Sequence, residues 1–291
     1  MNGILLVDKP AGWTSMDVCA KLRGVFREKR IGHSGTLDPM ATGLLVVFLG
    51  RATRAVPFAE GDEKTYEAAL RLGLVTDTQD TSGTVLSQTG ARVTEAELDA
   101  ALERFRGPQT QLPPMYSAIK VNGQKLYDLA RKGREVERQP REITVYALER
   151  RGFSESGDVL LTVRCSKGTY VRTLCHDLGA ALGCGGAMSA LRRTRAGRFD
   201  LAEAHTLEQI QAAADRGQAE TLLLPVDTLF ADTAALTLTG PQERTLRNGG
   251  AYSLPDVPAG RYRLYGREGN FLALGAVEDG TMRAVKSFFE V

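Results

Sequence analysis

Residues 44–49, LLVVFL, set the tightest limit on what this chain can fold into. A strand with no polar alternation is covered on both faces, so it belongs inside a sheet with a layer on either side. The stretch feeding it is of another kind. GHSGTLDPMATGLL, residues 32–45, holds a histidine, several glycines, a proline and a single carboxylate, Asp38. A carboxylate isolated in a glycine-punctuated loop ahead of a buried strand is poorly placed for packing and well placed for chemistry.

Other elements follow from periodicity. Residues 4–7 read as a buried strand, and Thr14 or Ser15 caps a helix whose apolar face is Val18, Cys19, Leu22, Val25 and Phe26. KTYEAALRLG, residues 64–73, puts Tyr66, Ala68, Leu70 and Leu72 on one face of a strand. Thr94 with Glu97 and Thr206 with Gln209 have the capping-box spacing of two helix starts. Residues 143–148 and 159–165 alternate as strands, while TDTQDTSG at 76–83 is a polar loop. Residues 170–183 are helical, with Val171, Leu174, Cys175, Leu178 and Leu182 inward and Arg172 off that face in the first turn. Beyond about residue 231, short alternating runs between Gly, Asn and Pro turns predict a small all-β module.

Charge is informative by placement. Formal net charge is only +2, yet residues 104–141 hold nine Lys/Arg against three Asp/Glu. LRRTRAGR, residues 191–198, holds four arginines and no acid. Basic segments in a near-neutral chain suit a polyanion met on one face. Residues 108–141, rich in proline and weakly cored, read as a binding arm. No apolar run nears the ~20 residues of a membrane span, and the N-terminus lacks signal-peptide features. Four cysteines without a CxxC pair read as reduced buried thiols of a cytoplasmic protein, and histidines at 33, 176 and 205 are too scattered for a metal site. There is no P-loop, and GCGGAM at 183–188 follows a helix, so a nucleotide cofactor is not expected. A Ser-His-Asp arrangement stays open, although no G-x-S-x-G elbow occurs. These residues alone reach a polyanion-binding protein with Asp38 as its candidate catalytic group.

GHSGTLDPMATGLL, KTYEAALRLG, TDTQD, PPMYSAIKVNGQKLYDLAR, SKGTYVRTLCHDLG and LRRTRAG, in that order, resemble the bacterial tRNA pseudouridine synthase family TruB. The resemblance implies an isomerase that needs no cofactor or metal and acts on uridine 55 of the tRNA T-arm loop, everting the base from its stack. It implies that Asp38 is the catalytic aspartate, kept ionised by Arg172. Tyr66 stacks on the target base, with Lys64 beside it in KTY as a substrate-binding group. Tyr170 lines the pocket, Leu191 packs on the base, His33 fills space vacated in the T-loop, and Asp80 holds the outer side of Arg172. The basic arm closes over the T-arm, and the LRRTRAG arginines play the same phosphate-contacting part beside the site.

The reading is therefore an α+β chain: a mixed, largely antiparallel sheet with flanking helices in residues 1–230, including the RNA-binding insertion 108–141. A small β-rich PUA-like RNA-binding domain occupies 231–291. The expected partner is tRNA, met by a monomer without membrane attachment. A guide-RNA-directed synthase of a ribonucleoprotein is the alternative, because GHSGTLDP also suits that branch, whereas the arm motif looks bacterial. A hypothesis of another class is an RNA-folding or RNA-binding protein whose enzyme site is secondary, with opening of the T-loop helping misfolded tRNA to refold.

Overall fold

The computed structural model describes residues 1–61, 63–90, 92–121 and 123–289. The chain opens on β1 (Gly3–Lys9), turns through a Pro/Gly loop into α1 (Ser15–Phe26), and continues as β2 (Ile31–Ser34) and β3 (Thr42–Leu49). A short α2 (Val56–Ala59) leads to β4 (Lys64–Leu72), the hairpin β5 (Leu74–Thr76) and β6 (Val85–Gln88), α3 (Glu95–Arg104) and β7 (Gly107–Gln111). The arm adds β8 (Lys120–Val121), β9 (Gln124–Lys125) and α4 (Leu126–Ala130). Next come β10 (Arg141–Phe153), β11 (Val159–Cys165), α5 (Val171–Ala181), β12 (Gly186–Ala196), β13 (Phe199–Asp200) and α6 (Leu207–Asp215). The last stretch is β14 (Ala234–Thr237), α7 (Gly240–Arg247), β15 (Tyr252–Ser253), β16 (Gly260–Tyr265), β17 (Phe271–Glu278) and β18 (Thr281–Ser287).

The main sheet runs β1-β3-β12-β4-β11-β10-β7, with β2 on β3 and β13 on β12. Its pairs are antiparallel except β12 beside β3, where Arg192 faces Thr42 and Arg193 faces Gly43. The mixed, largely antiparallel sheet is thus as expected. Leu44 to Leu49 are indeed buried on both sides. Leu45, Val47 and Leu49 belong to the core cluster that also holds Val18, Cys19 and Leu22 of α1 and Leu174 and Leu178 of α5. Leu44, Val46 and Phe48 pack with Phe230, Leu274 and Phe288 from the C-terminal part of the chain. Phe271 and Phe288 stack there at 5.3 Å between centroids. Burying that apolar face is worth about 25 cal/mol per Å² removed from water, which ties the second sheet to the first.

Helix starts are set locally. Thr14 caps α1 with Asp17, Thr94 caps α3 with Glu97, and Thr206 caps α6 with Gln209, each as a reciprocal capping box. The second sheet runs β14-β16-β17-β18-β15. Contrary to the all-β expectation, it carries a helix, α7, started by a capping box of Thr239 and Gln242. Leu246 is the one buried residue of α7, so it has no apolar stripe to betray it. Residues 108–111 also differ from the expected arm: they lie in β7 and pair with β10, so the arm leaves the sheet only after Gln111. No helix among the described residues is long and apolar enough to cross a membrane.

Candidate active site

Backbone groups on both sides of Asp38 are hydrogen-bonded, which holds the loop as a support. Ser15 Oγ accepts from the Leu37 amide at 2.9 Å and donates to the Leu37 carbonyl at 3.2 Å. The Asp38 carbonyl accepts from Ala41 N at 3.1 Å, and the Pro39 carbonyl from Gly12 N at 2.8 Å. Lys9, with no exposed surface, donates its ammonium to the carbonyls of Trp13 at 2.6 Å, Pro10 at 3.0 Å and Pro39 at 3.4 Å. Burial lowers the Lys9 pKa to about 8, with nearby Asp38 opposing the fall and Arg193 adding to it. Protonated Lys9 is therefore costlier in the folded chain than in the unfolded one. Its penalty is present below pH 8 and is relieved as pH rises from there toward the unfolded value of 10.5. Lys9→Met strips Pro10 and Trp13 in the turn after β1, and Pro39 in the Asp38 loop, of their donated bonds and is expected to destabilise by about 1–3 kcal/mol. Denaturant titrations should also show a flatter pH dependence than wild type above pH 8.

Arg172 meets this loop from the first turn of α5. The N-cap residue, Tyr170, offers no side-chain cap. Gln111, at the end of β7, clamps its backbone instead: its Oε1 accepts from Tyr170 N at 2.8 Å and its Nε2 donates to Tyr170 O at 3.1 Å. Arg172 is only 4 % exposed rather than turned to solvent. Its Nε lies 2.9 Å from Asp38 Oδ2 and 3.8 Å from Asp80 Oδ2. Nη1 donates to Thr78 O at 3.0 Å, and Nη2 to Tyr116 O of the arm at 2.7 Å and Asp38 Oδ1 at 3.4 Å. Asp80 is buried behind the guanidinium, its own carboxylate accepting from Thr78 Oγ1 at 2.8 Å and from the Ser82 amide at 3.0 Å.

The Asp38 side chain keeps 36 % of its surface, facing the confined cavity that it lines. Desolvation pushes its carboxyl above the usual aspartate range, Arg172 pulls it back, and the like charge of Asp80 pushes it up again. Any step that needs ionised Asp38 is thus lost on acidification at a higher pH than for a free aspartate. Asp80→Asn removes the like charge, so the acid limb of a kcat/KM profile is expected to move to lower pH, even though the looser Arg172 lowers the plateau. A limb that stays put would detach Asp80 from Asp38.

The cavity has a volume of about 270 Å³, and Asp38, Arg172, Tyr66, Tyr170, Leu191 and Lys64 all line it. Tyr66 comes from β4 and Leu191 from its neighbour β12, both on the face that carries the main core. Lys64 is buried and donates to Glu60 O at 3.1 Å. Ser117 and Ala118 bring the arm to the rim. Two of the expected residues are elsewhere. His33 sits on β2 opposite Val47, half-buried and outside the lining, its imidazole pKa lowered by burial. Asp80 supports Arg172 from behind without reaching the cavity.

Lys9, Gln111, Tyr116 and Arg193 are site residues that sequence reasoning passed over. Of the LRRTRAG arginines expected to contact phosphates, Arg195 is exposed, Arg192 is partly exposed and ion-paired, and Arg193 is buried. β12 sends Arg192 to Asp8, which it chelates at 2.7 and 3.1 Å, and buries Arg193 in the cavity wall. Alternation of Leu191, Arg192 and Arg193 along a strand was the available signal.

Comparison with known proteins gives consistent matches. Residues 23–171 match the description "TruB family pseudouridylate synthase (N terminal domain)". Residues 172–231 match "tRNA pseudouridylate synthase B C-terminal domain". The tRNA pseudouridine synthase B of Dechloromonas aromatica is 44% identical over 276 residues, covering 94% of this chain and 91% of that one. That of Azoarcus sp. is 43% identical over 283 residues, covering 97% and 93%. Among solved structures, a chain of a Cbf5-Nop10-Gar1 complex superposes with a TM-score of 0.76 at 25% identity, covering 99% of this chain and 85% of that one.

Proposed function

The chain belongs to the TruB family of pseudouridylate synthases, and from that we propose that it isomerises a uridine of tRNA to pseudouridine, with uridine 55 of the T-arm loop as target. The observation that carries this reading is the ion-paired Asp38 at a cavity walled by Tyr66, Tyr170 and Leu191. The reaction breaks N1–C1′ and forms C5–C1′; C5 gives up a proton and N1 gains one, so atoms and electrons balance without a co-reactant. Flat aromatic and apolar walls hold a base that has to turn in its own plane, a motion that fixed hydrogen bonds would resist. Asp38 acts as nucleophile or base, and Arg172 holds it ionised and aimed. Tyr66 stacks on the base, Leu191 and Tyr170 bound it, Lys64 contacts the substrate from the cavity wall, and Asp80 steadies Arg172. His33, outside the cavity, is left to fill the gap in the T-loop.

On this reading residues 1–230 are the catalytic domain, the segment between β7 and β10 the arm that closes over the T-arm, and 231–291 a PUA-like RNA-binding domain. The protein works as a cytoplasmic monomer. Relatives named as tRNA enzymes at 43–44% identity favour this over a guide-directed synthase, whose fold neighbour stands at 25%. Purified protein with an unmodified tRNA transcript and no guide RNA is expected to form pseudouridine at one T-loop position. Affinity should fall steeply between low and moderate salt, by about 10³-fold if six or more phosphates are contacted. Conversion that needs an added guide RNA would move the assignment to the ribonucleoprotein branch.

A further inference from the structure

Arg193 is 1 % exposed, and among the described residues no carboxylate forms an ion pair with it. A buried guanidinium of this kind is expensive unless its donors are used. They are used on the Asp38 loop. Nε donates to Leu44 O at 2.7 Å and Nη2 to Gly35 O at 2.8 Å, so one side chain ties together the two ends of the loop that contains Asp38. The loop is built around it. A Cβ on Gly35 would sit 3.1 Å from Arg193 Nη1, and one on Gly43 would sit 2.4 Å from the Arg193 carbonyl, with both glycines at positive φ. Arg193 is also the cross-strand partner of Tyr66, on the same face, and lies beside its phenol in the cavity wall.

We propose that Arg193 is a positioning residue for the isomerisation: it closes the neck of the Asp38 loop and fixes the Tyr66 phenol against it, acting through these two groups and not on RNA phosphates. The proposal rests on the functional reading above. Burial pushes the Tyr66 phenol pKa up, and the guanidinium beside it pulls the other way, so losing Arg193 changes the polarity of the wall that meets the base.

The test compares wild type, Arg193→Lys and Arg193→Met, each checked for melting temperature, tRNA affinity at two salt concentrations, and single-turnover rate. Wild-type conversion tests the functional reading; the ratio of variant to wild type tests this proposal. Arg193→Met is expected to turn over about a hundred-fold more slowly, since small displacements of reacting groups cost that much. Affinity and its salt slope should stay at wild-type values. Arg193→Lys keeps the charge but reaches only one of the two carbonyls, so it falls between. It carries the test alone if the methionine variant does not fold. Combined with Tyr66→Phe, the rate losses should be less than additive, which a purely scaffolding arginine would not produce. Unchanged turnover, additive losses, or a shallower salt slope with weaker binding would each overturn the proposal.

Discussion

Asp38→Asn is expected to bind tRNA as wild type does and to form no measurable pseudouridine. The substitution keeps size and shape and removes the charge. Arg172 then still has Thr78 O at 3.0 Å, Tyr116 O at 2.7 Å and Asp80 at 3.8 Å, so the guanidinium is not stranded. The loop backbone is held by Ser15, Gly12, Lys9 and Arg193, none of which contacts the Asp38 carboxylate by a hydrogen bond, and it should not move. What disappears is the carboxylate that Arg172 holds at the cavity, the group assigned to attack or take a proton. Loss of such a group costs at least about a thousand-fold in rate. Release of the C5 proton as tritium from labelled tRNA measures it directly, and filter binding gives the affinity. Turnover within ten-fold of wild type would remove Asp38 from the mechanism. If refolding of misfolded tRNA survives in this variant, that activity depends on opening the T-loop and not on the chemistry.

Features that repeat locally could be read from the chain, and features made by distant pairs could not. The capping boxes at Thr94 and Thr206 occupy four residues each and appear in the structure as expected. The apolar run from Leu44 to Leu49 implied two covering layers, and both are there. The apposition of Asp38 and Arg172 spans 134 positions, and no periodicity reports it; it entered through the family resemblance. Lys9 and Arg193 were invisible for a different reason. A charged residue reads as solvated surface unless its acceptors are known, and here the acceptors are backbone carbonyls of the turn after β1 and of the Asp38 loop. LRRTRAG accordingly read as a basic patch when it is a strand with alternate faces, one toward Asp8 and one toward the cavity. Helix α7 escaped for lack of an apolar stripe.

Arg172→Lys is expected to cost at least about a hundred-fold in turnover at neutral pH, because a lysine cannot replace the fork that Arg172 uses. Nε, Nη1 and Nη2 reach in three directions, to Asp38, to Thr78 and to Tyr116. A lysine ammonium satisfies one of these and leaves two buried acceptors short, while Asp38 and Asp80 face each other with less to separate them. Burial already lifts the Asp38 pKa, with Arg172 as its main counterweight, so weakening that counterweight lifts it further. Activity and stability then respond oppositely to pH. Turnover needs the ionised carboxylate, so the acid limb moves up and the variant recovers part of its rate as pH is raised. Stability runs the other way. With its folded pKa above the unfolded value, Asp38 binds more protons in the native state, so the variant gains stability on acidification and loses it as pH rises from the unfolded toward the folded pKa. A lysine variant whose rate and stability rise together with pH would mean that Arg172 supports the fold and has no hold on the charge of Asp38.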